Sequence, residues 1–391
     1  MKVLFFSLSP KSGLYLSLAE EFVRNGHEVC FYSPSNKNEE YEGHIKGLKY
    51  VFFKAGALTQ VGLVQKAVST ATFPGAALKG LKKYINPGEY QLVMLSTPTI
   101  AYYKAIKFIR RKNPSIKFYL ILRDIYPEAI KASKISQIPF VYGVMKNQAQ
   151  KVYQMADKIG CMSPHSVALI QNNYCQETKD KVCLLENWGA KEEYIYPDLS
   201  IREKYGLDGK FIVIYGGNLG VAQKLGHILD LAKLNSDKED VLFLFIGKGT
   251  QSKMLKQRIS DEQIKNVQIW DEMPRDEYEQ ILKTADLGLI SLRTRAQFAN
   301  IPSKTVSYMA NKIPILASID KVGDYRSFVI DRVKCGLWAF DDDLQGLSNN
   351  LNSLYYNESL RKEMGENGRA YFDKYLTADK AYNQIVKELH I

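Results

Sequence analysis

Apolar residues along this chain fall into short unbroken runs, separated by stretches where they recur every three or four positions. Runs at 2–9, 28–32, 49–54, 91–96, 117–122 and 158–162 predict buried strands, because a strand covered on both faces needs no polar alternation. Helical spacing lies between them at 12–24 and 99–111. The alternation resumes at 210–215, 241–246, 267–270, 286–292 and 313–318, and closes in helical runs at 359–375 and 377–390. Strands alternating with helices predict an α/β chain with two doubly wound parallel sheets. A polar stretch at 188–205, containing Pro197 and ending before Gly206, reads as the linker. The expected domains are 1–190 and 206–375.

Composition narrows the class. The 391 residues suffice for two ordinary domains. No run of eighteen apolar residues occurs, so no spanning helix is expected. The apolar start leads into Pro10-Lys-Ser-Gly13 and an amphipathic stretch, and reads as a first strand, not a secretion signal. The five cysteines form no CxxC and the five histidines no HxxxH spacing, which argues for a reducing cytoplasm and against disulfide or zinc scaffolding.

The net charge of +11 is unevenly placed: residues 1–190 hold 25 basic and 13 acidic side chains, residues 191–391 hold 28 and 29. The first half therefore attracts an anionic partner. Residues 61–85 mix apolar positions with Lys79, Lys82 and Lys83 and contain no acid; Lys104, Lys107, Arg110, Arg111 and Lys112 follow. That pattern fits a helix lying on an anionic membrane surface better than solvated surface helices. Nucleic acid is not expected as a partner, since no binding motif or basic–aromatic strand pattern occurs.

Two segments carry candidate chemistry. Tyr215-Gly-Gly-Asn-Leu-Gly220 follows a buried run and precedes helical spacing. Such a turn lets bare amides and a helix start approach a phosphate, although it also serves as a plain strand–helix connection. Ile301-Pro-Ser-Lys304 opens a second helical stretch after 286–292. Pro302 and Ser303 suit a first helical turn and its cap. Lys304 has no such local reason and would stand at the mouth of the sheet, where open α/β folds bind ligands. The Asp341-Asp-Asp343 run reads as a solvated acidic turn, and His165 as a structural or capping residue.

The series Gly216-Gly-Asn-Leu-Gly220, Phe245-Ile-Gly-Lys-Gly249, Met273-Pro-Arg-Asp-Glu277, Ala285-Asp286 and Pro302-Ser-Lys304 resembles the family 4 glycosyltransferases of the GT-B fold. The nearest branch builds bacterial O-antigen or capsule by transferring amino sugars or deoxyamino sugars; Arg123-Asp-Ile-Tyr-Pro-Glu128 resembles its Asp-x-x-Pro-Glu motif, and Leu185-Glu-Asn-Trp188 its segment before the linker. The resemblance implies two Rossmann-like domains with a cleft between them, and a C-terminal helix, 377–391, returning to the first domain. It implies a retaining transfer of a sugar from a nucleotide diphosphate, UDP-linked by expectation, to an undecaprenyl-diphosphate-linked saccharide. The hexosyl or N-acetylhexosaminyl enzyme would be cytoplasmic and peripheral on the inner face of the plasma membrane, with no metal or other cofactor.

By the same resemblance Gly216, Gly217 and Asn218 would present the donor diphosphate with backbone amides. Lys224 would pair with phosphate, in a register uncertain by one against Gln223. Pro302, Ser303 and Lys304 would reach the other phosphate side, and Met273 and Arg275 the base. Ser12, Gly13, Arg123 and Glu128 would serve the acceptor side, with Asp124 and Lys304 as catalytic groups. The family's Glu-x7-Glu pair is absent; Ala299 and Ser307 stand there. A sugar-nucleotide 2-epimerase and a non-catalytic scaffold of the same fold remain as alternatives.

Overall fold

The computed structural model describes residues 1–8, 10, 13–35, 40–45, 47–56, 63–97, 99–128, 141–293 and 301–391; of residues 45, 63–67, 99 and 141 only the backbone is described. Ser12, Ala299 and much of the stretch after Glu128 lie outside these residues. The chain divides into two compact units, one formed by Met1–Ala190 with Thr377–Ile391, the other by Lys191–Arg295 and Ile301–Leu376.

The first unit is built on β1 (Lys2–Phe6), β2 (Glu28–Pro34), β3 (Tyr41–Ile45), β4 (Leu48–Phe53), β5 (Leu92–Ser96), β6 (Lys117–Leu122), β7 (Lys158–Cys161) and β8 (Val182–Leu184). They form one sheet in the order β3-β4-β2-β1-β5-β6-β7-β8, parallel except for the β3–β4 pair. Apolar side chains fill both faces, which is why these strands read as unbroken runs. Helix Ala378–Leu389 lies on one face and buries Tyr382, Ile385 and Leu389 with Phe22 and Trp188. The amide of Ala378 donates to the Gly189 carbonyl at 2.9 Å.

The second unit holds β9 (Phe211–Gly216), β10 (Val241–Ile246), β11 (Val267–Trp270), β12 (Leu287–Ser291), β13 (Ile315–Ile319) and β14 (Gly336–Phe340). Their order is β11-β10-β9-β12-β13-β14, with every pairing parallel. Strands β9 and β12 are neighbours in space but not in sequence, so the winding reverses between them. A crevice opens outside the carboxyl ends of two such strands.

Three strands carry no signal of the expected kind. Strand β3 is an antiparallel edge of sequence Tyr-Glu-Gly-His-Ile, too polar for an apolar run. Strand β8 has three residues. Strand β14 is the outer strand of its sheet and mixes buried with half-buried positions. The expected linker is also shorter than its polarity suggests. Trp188 is buried in the first unit, while Ser200–Lys204 is a helix of the second, tied down by Arg202 through Lys210 and Asp286, each at 3.0 Å.

Candidate functional site

The glycine turn after β9 is closed by a second turn after β10. The Gly217 amide donates to the Ile246 carbonyl at 2.9 Å, and the Leu219 amide to the Lys248 carbonyl at 3.0 Å. A side chain on Gly247 would strike the Gly217 carbonyl, and one on Gly249 the Leu219 backbone. Glycine is needed here for close approach of two loops, and Gly217 and Gly247 also have positive φ, at 128° and 147°. This corrects the expectation for Gly217: its amide is spent on the neighbouring loop and is not offered to an anion. Gly216 ends the strand beneath the Tyr278 ring, which occupies the place a side chain would need. Asn218 is exposed, and its carbonyl accepts from the Tyr215 hydroxyl at 3.0 Å.

Lys304 converges on this turn. Helix Lys304–Ala310 lies on β12, where Gly288 leaves room for the Tyr308 ring. The Tyr308 hydroxyl reaches the Ile214 and Leu289 carbonyls, each at 3.2 Å, and so fixes the helix over the β9–β12 boundary. The Lys304 ammonium stands 3.9 Å above the Tyr215 ring. A β-carbon on Gly217 would lie 3.9 Å from Lys304 Nζ and, among the described residues, would meet nothing but Lys304 within 4 Å. The residue as a whole is half-buried, while its ammonium is hemmed in by protein on most sides. That desolvation pushes its pKa down to about 8, with no carboxylate among the described residues acting on it. Pro302 is half-buried. Ser303 is exposed, and its side chain makes no capping bond, contrary to expectation, because its backbone is already helical.

Lys224 is engaged elsewhere. It has a left-handed backbone (φ 45°) ahead of helix Leu225–Leu234, and its Nζ donates to the Asp341 carboxylate at 3.1 Å and to the Asp341 carbonyl. Asp341 is buried, not solvated, which corrects the reading of the acidic run. Asp342 pairs with Lys321, and Asp343 caps helix Leu344–Tyr356. As it stands, the Lys224 charge is balanced by Asp341, whereas Lys304 has no carboxylate acting on it among the described residues. Met273 is half-buried in the loop after β11; Arg275 is exposed and paired with Glu279 at 2.6 Å within its own helix.

In the first unit Arg123 and Glu128 are structural, a correction to their expected acceptor role. Arg123 is buried, donates to the Leu185 carbonyl at 2.6 Å and stacks 4.8 Å from the Trp188 ring. Glu128 is buried and accepts from Tyr142 at 3.1 Å and Tyr174 at 2.5 Å. Gly13 opens helix Gly13–Arg24 after β1. Asp124 lies beyond β6 with its surface exposed, yet crowding about its carboxyl raises its pKa above the usual range, against the pull of Arg123.

The basic segments are sorted by the fold. Helix Leu63–Tyr84 buries Phe73, Ala77 and Leu81 in the core, so from Phe73 onward its apolar side is not free. Lys79, Lys82, Lys104, Lys107, Arg111 and Lys112 remain exposed. No helix among the described residues is long and apolar enough to cross a membrane. Among them, too, no cluster of three His, Cys, Asp or Glu is placed to hold a metal ion.

Comparison with known proteins agrees with this architecture. Residues 198–371 match the family model of glycosyl transferases group 1, so the second unit carries a domain of that family. The chain is 25% identical over 317 residues to the Pseudomonas aeruginosa protein named as glycosyltransferase WbjE, covering 79% of this chain and 71% of that one. It is 25% identical over 179 residues to WcaI of Escherichia coli K12, named as a colanic acid biosynthesis glycosyl transferase, covering 42% and 44%. HepE of Anabaena, solved in complex with UDP-glucose, superposes with a TM-score of 0.74 at 16% identity, over 100% of this chain and 99% of that one. The fold is GT-B, with two Rossmann-like units, and the second of them matches the glycosyl transferases group 1 model.

Gly247 and Gly249, within Phe245-Ile-Gly-Lys-Gly249, and Tyr215, at the head of the glycine turn, stand in quoted segments but were given no role of their own from sequence. Both positions were readable. The Lys224–Asp341 pair, 117 positions apart, was not.

Proposed function

We propose that the protein is a retaining glycosyltransferase that takes a hexosyl or N-acetylhexosaminyl group from a UDP-linked donor to a lipid-diphosphate-linked saccharide in surface polysaccharide synthesis. The observation that carries the donor half is Lys304, a desolvated cation without a carboxylate partner among the described residues, facing the open side of Gly217 at the reversal point of the sheet. Negative charge builds on the departing diphosphate as the C1–oxygen bond breaks, and a preorganised cation there lowers the barrier. Lys304 is the group for that task; Asp124 is the acceptor-side candidate for proton transfer, its carboxyl already raised by crowding. The exposed lysines of the first unit suit an anionic membrane surface bearing the acceptor, at the cytoplasmic face. No metal is assigned a step.

The test is a thermal-shift series with UDP and UDP-sugars, followed by transfer from a radiolabelled UDP-sugar to lipid-diphosphate saccharide in anionic vesicles. The expected result is a UDP-dependent rise in melting temperature that Lys304→Met abolishes, and labelled lipid product with the native chain. Free epimer without lipid product would place the chain with the 2-epimerases; absence of nucleotide binding would place it with the scaffolds.

A further inference from the structure

Strand β14 is the outer strand of the second sheet. Between it, residues 330–334 and helix Glu358–Tyr375 lies a cleft of about 360 Å³, lined by the second unit alone. Ligand pockets run from about 300 to 1,000 Å³, so this one suits a single-ring molecule and is small for a nucleotide. Its lining is mostly apolar, from Ile330, Leu337, Trp338, Leu360 and Met364. Leu337, Trp338 and Leu360 are only half-buried, so apolar surface is left uncovered there. The indole is fixed: its Nε1–H donates to Asp331 at 3.1 Å, and the Arg326 guanidinium stacks 4.4 Å from the ring centre. The neighbouring segment is pinned to helix Glu358–Tyr375. Arg332 stacks on Phe328 at 3.8 Å and on Tyr371 at 4.7 Å, and Asn367 donates to the Lys334 carbonyl at 3.2 Å. That segment holds a π-helix, Tyr325–Asp331, and a left-handed lysine, Lys334, at φ 56°. Both are uncommon conformations that concentrate at binding sites.

Three charged side chains border the same cleft. Asp331 is taken by Arg326, at 3.1 Å, and by Trp338. Lys334 and Glu363 are exposed, and among the described residues neither has an ion-pair partner. We propose that this cleft binds a free amino acid with an aromatic side chain. The ring lies against Trp338, Leu337, Leu360 and Met364, Lys334 takes the carboxylate, and Glu363 takes the ammonium. An apolar lining bordered by one unpaired charge of each sign is complementary to a zwitterion; a singly charged molecule would leave one of the two unmatched. The indole suits a second ring better than an aliphatic chain, since ring edges and faces attract. No step of sugar transfer uses this cleft, so the proposal stands apart from the donor and acceptor assigned above.

The probe is L-phenylalanine, titrated into the isotope-labelled full-length chain and followed by NMR shift changes. The expected result is saturable binding with a Kd on the order of 1 mM or tighter. Lys334→Gln and Glu363→Gln, both at exposed positions that folding tolerates, should each weaken it by about tenfold. L-Phenylalaninamide has no carboxylate, so it should bind more weakly than the parent, and Lys334→Gln should weaken it no further. N-Acetyl-L-phenylalanine has no ammonium and should stand in the same relation to Glu363→Gln. L-Alanine, without the ring, should produce no shift changes in the same range. An absence of shift changes with L-phenylalanine up to about 10 mM would overturn the proposal. Binding that both variants leave unchanged would overturn it too, because the amino acid would then sit elsewhere on the chain. Equal affinity for L-phenylalanine and its two blocked derivatives would overturn the recognition of a zwitterion.

Discussion

A lysine that is desolvated without a counter-ion costs stability, and Lys304 has no carboxylate acting on it among the described residues. Its folded pKa, about 8, lies below its ordinary value of 10.5, so between these pH values the unfolded chain binds more protons. Folding stability from this group therefore rises with pH from about 8 to 10.5, and its full cost is present below 8. Lys304→Met should leave the chain as stable or more stable by about 1 kcal/mol at pH 7, read by denaturant unfolding, while removing nucleotide binding. The cationic form is the one that holds phosphate. Nucleotide affinity of the native chain should then fall as pH rises above about 8, measured by calorimetry, whereas Lys304→Arg, cationic throughout, should show no such fall. A flat native profile would remove Lys304 from the site. Lys304 stood out in the sequence because nothing local accounted for it, and the fold sets it beside the glycine turn. Arg123 and Glu128 were misread because a buried charge with partners far along the chain looks, in sequence, like an exposed one.

At the scale of elements, the glycine turn works as half of a pair. Its amides are stitched to the loop after β10, and Gly247 makes that approach possible. Gly247→Ala would place a methyl group on the Gly217 carbonyl at a backbone angle that alanine rarely adopts. The expected loss is about 3 kcal/mol in chemical denaturation, together with weaker nucleotide binding, because the turn carries the open side that faces Lys304. Unchanged stability would mean the two loops are not interlocked. The parallel strands were legible because both their faces are apolar. Strands β3 and β14 were not, because an edge strand is only partly covered and so its pattern is mixed. Helix Leu63–Tyr84 shows the same limit. Its apolar spacing announced an amphipathic helix, but only the packed structure shows Phe73, Ala77 and Leu81 turned into the core.

At the scale of the whole molecule, the chain returns to its first unit after completing the second. Helix Ala378–Leu389 buries Tyr382, Ile385 and Leu389 on the first sheet, far in sequence from its partners there. Deleting residues 377–391 should lower the melting transition of the first unit and leave that of the second in place, as two separate calorimetric transitions. A uniform shift of both would show that the helix does not belong to the first unit alone. The charge asymmetry is a property at this scale too: the first unit keeps its exposed lysines after its apolar helix faces are buried.

By itself the sequence determined the repeating strand–helix layout, the parallel sheets and the two turns that flank the candidate site, since each depends on contacts near in the chain or on coverage of a whole face. How the two candidate lysines differ in charge balance was decided only by tertiary structure. Asp341 neutralises Lys224, whereas no acid among the described residues reaches Lys304. Charge balance depends on neighbours in space, and folding brings those together from more than a hundred residues apart.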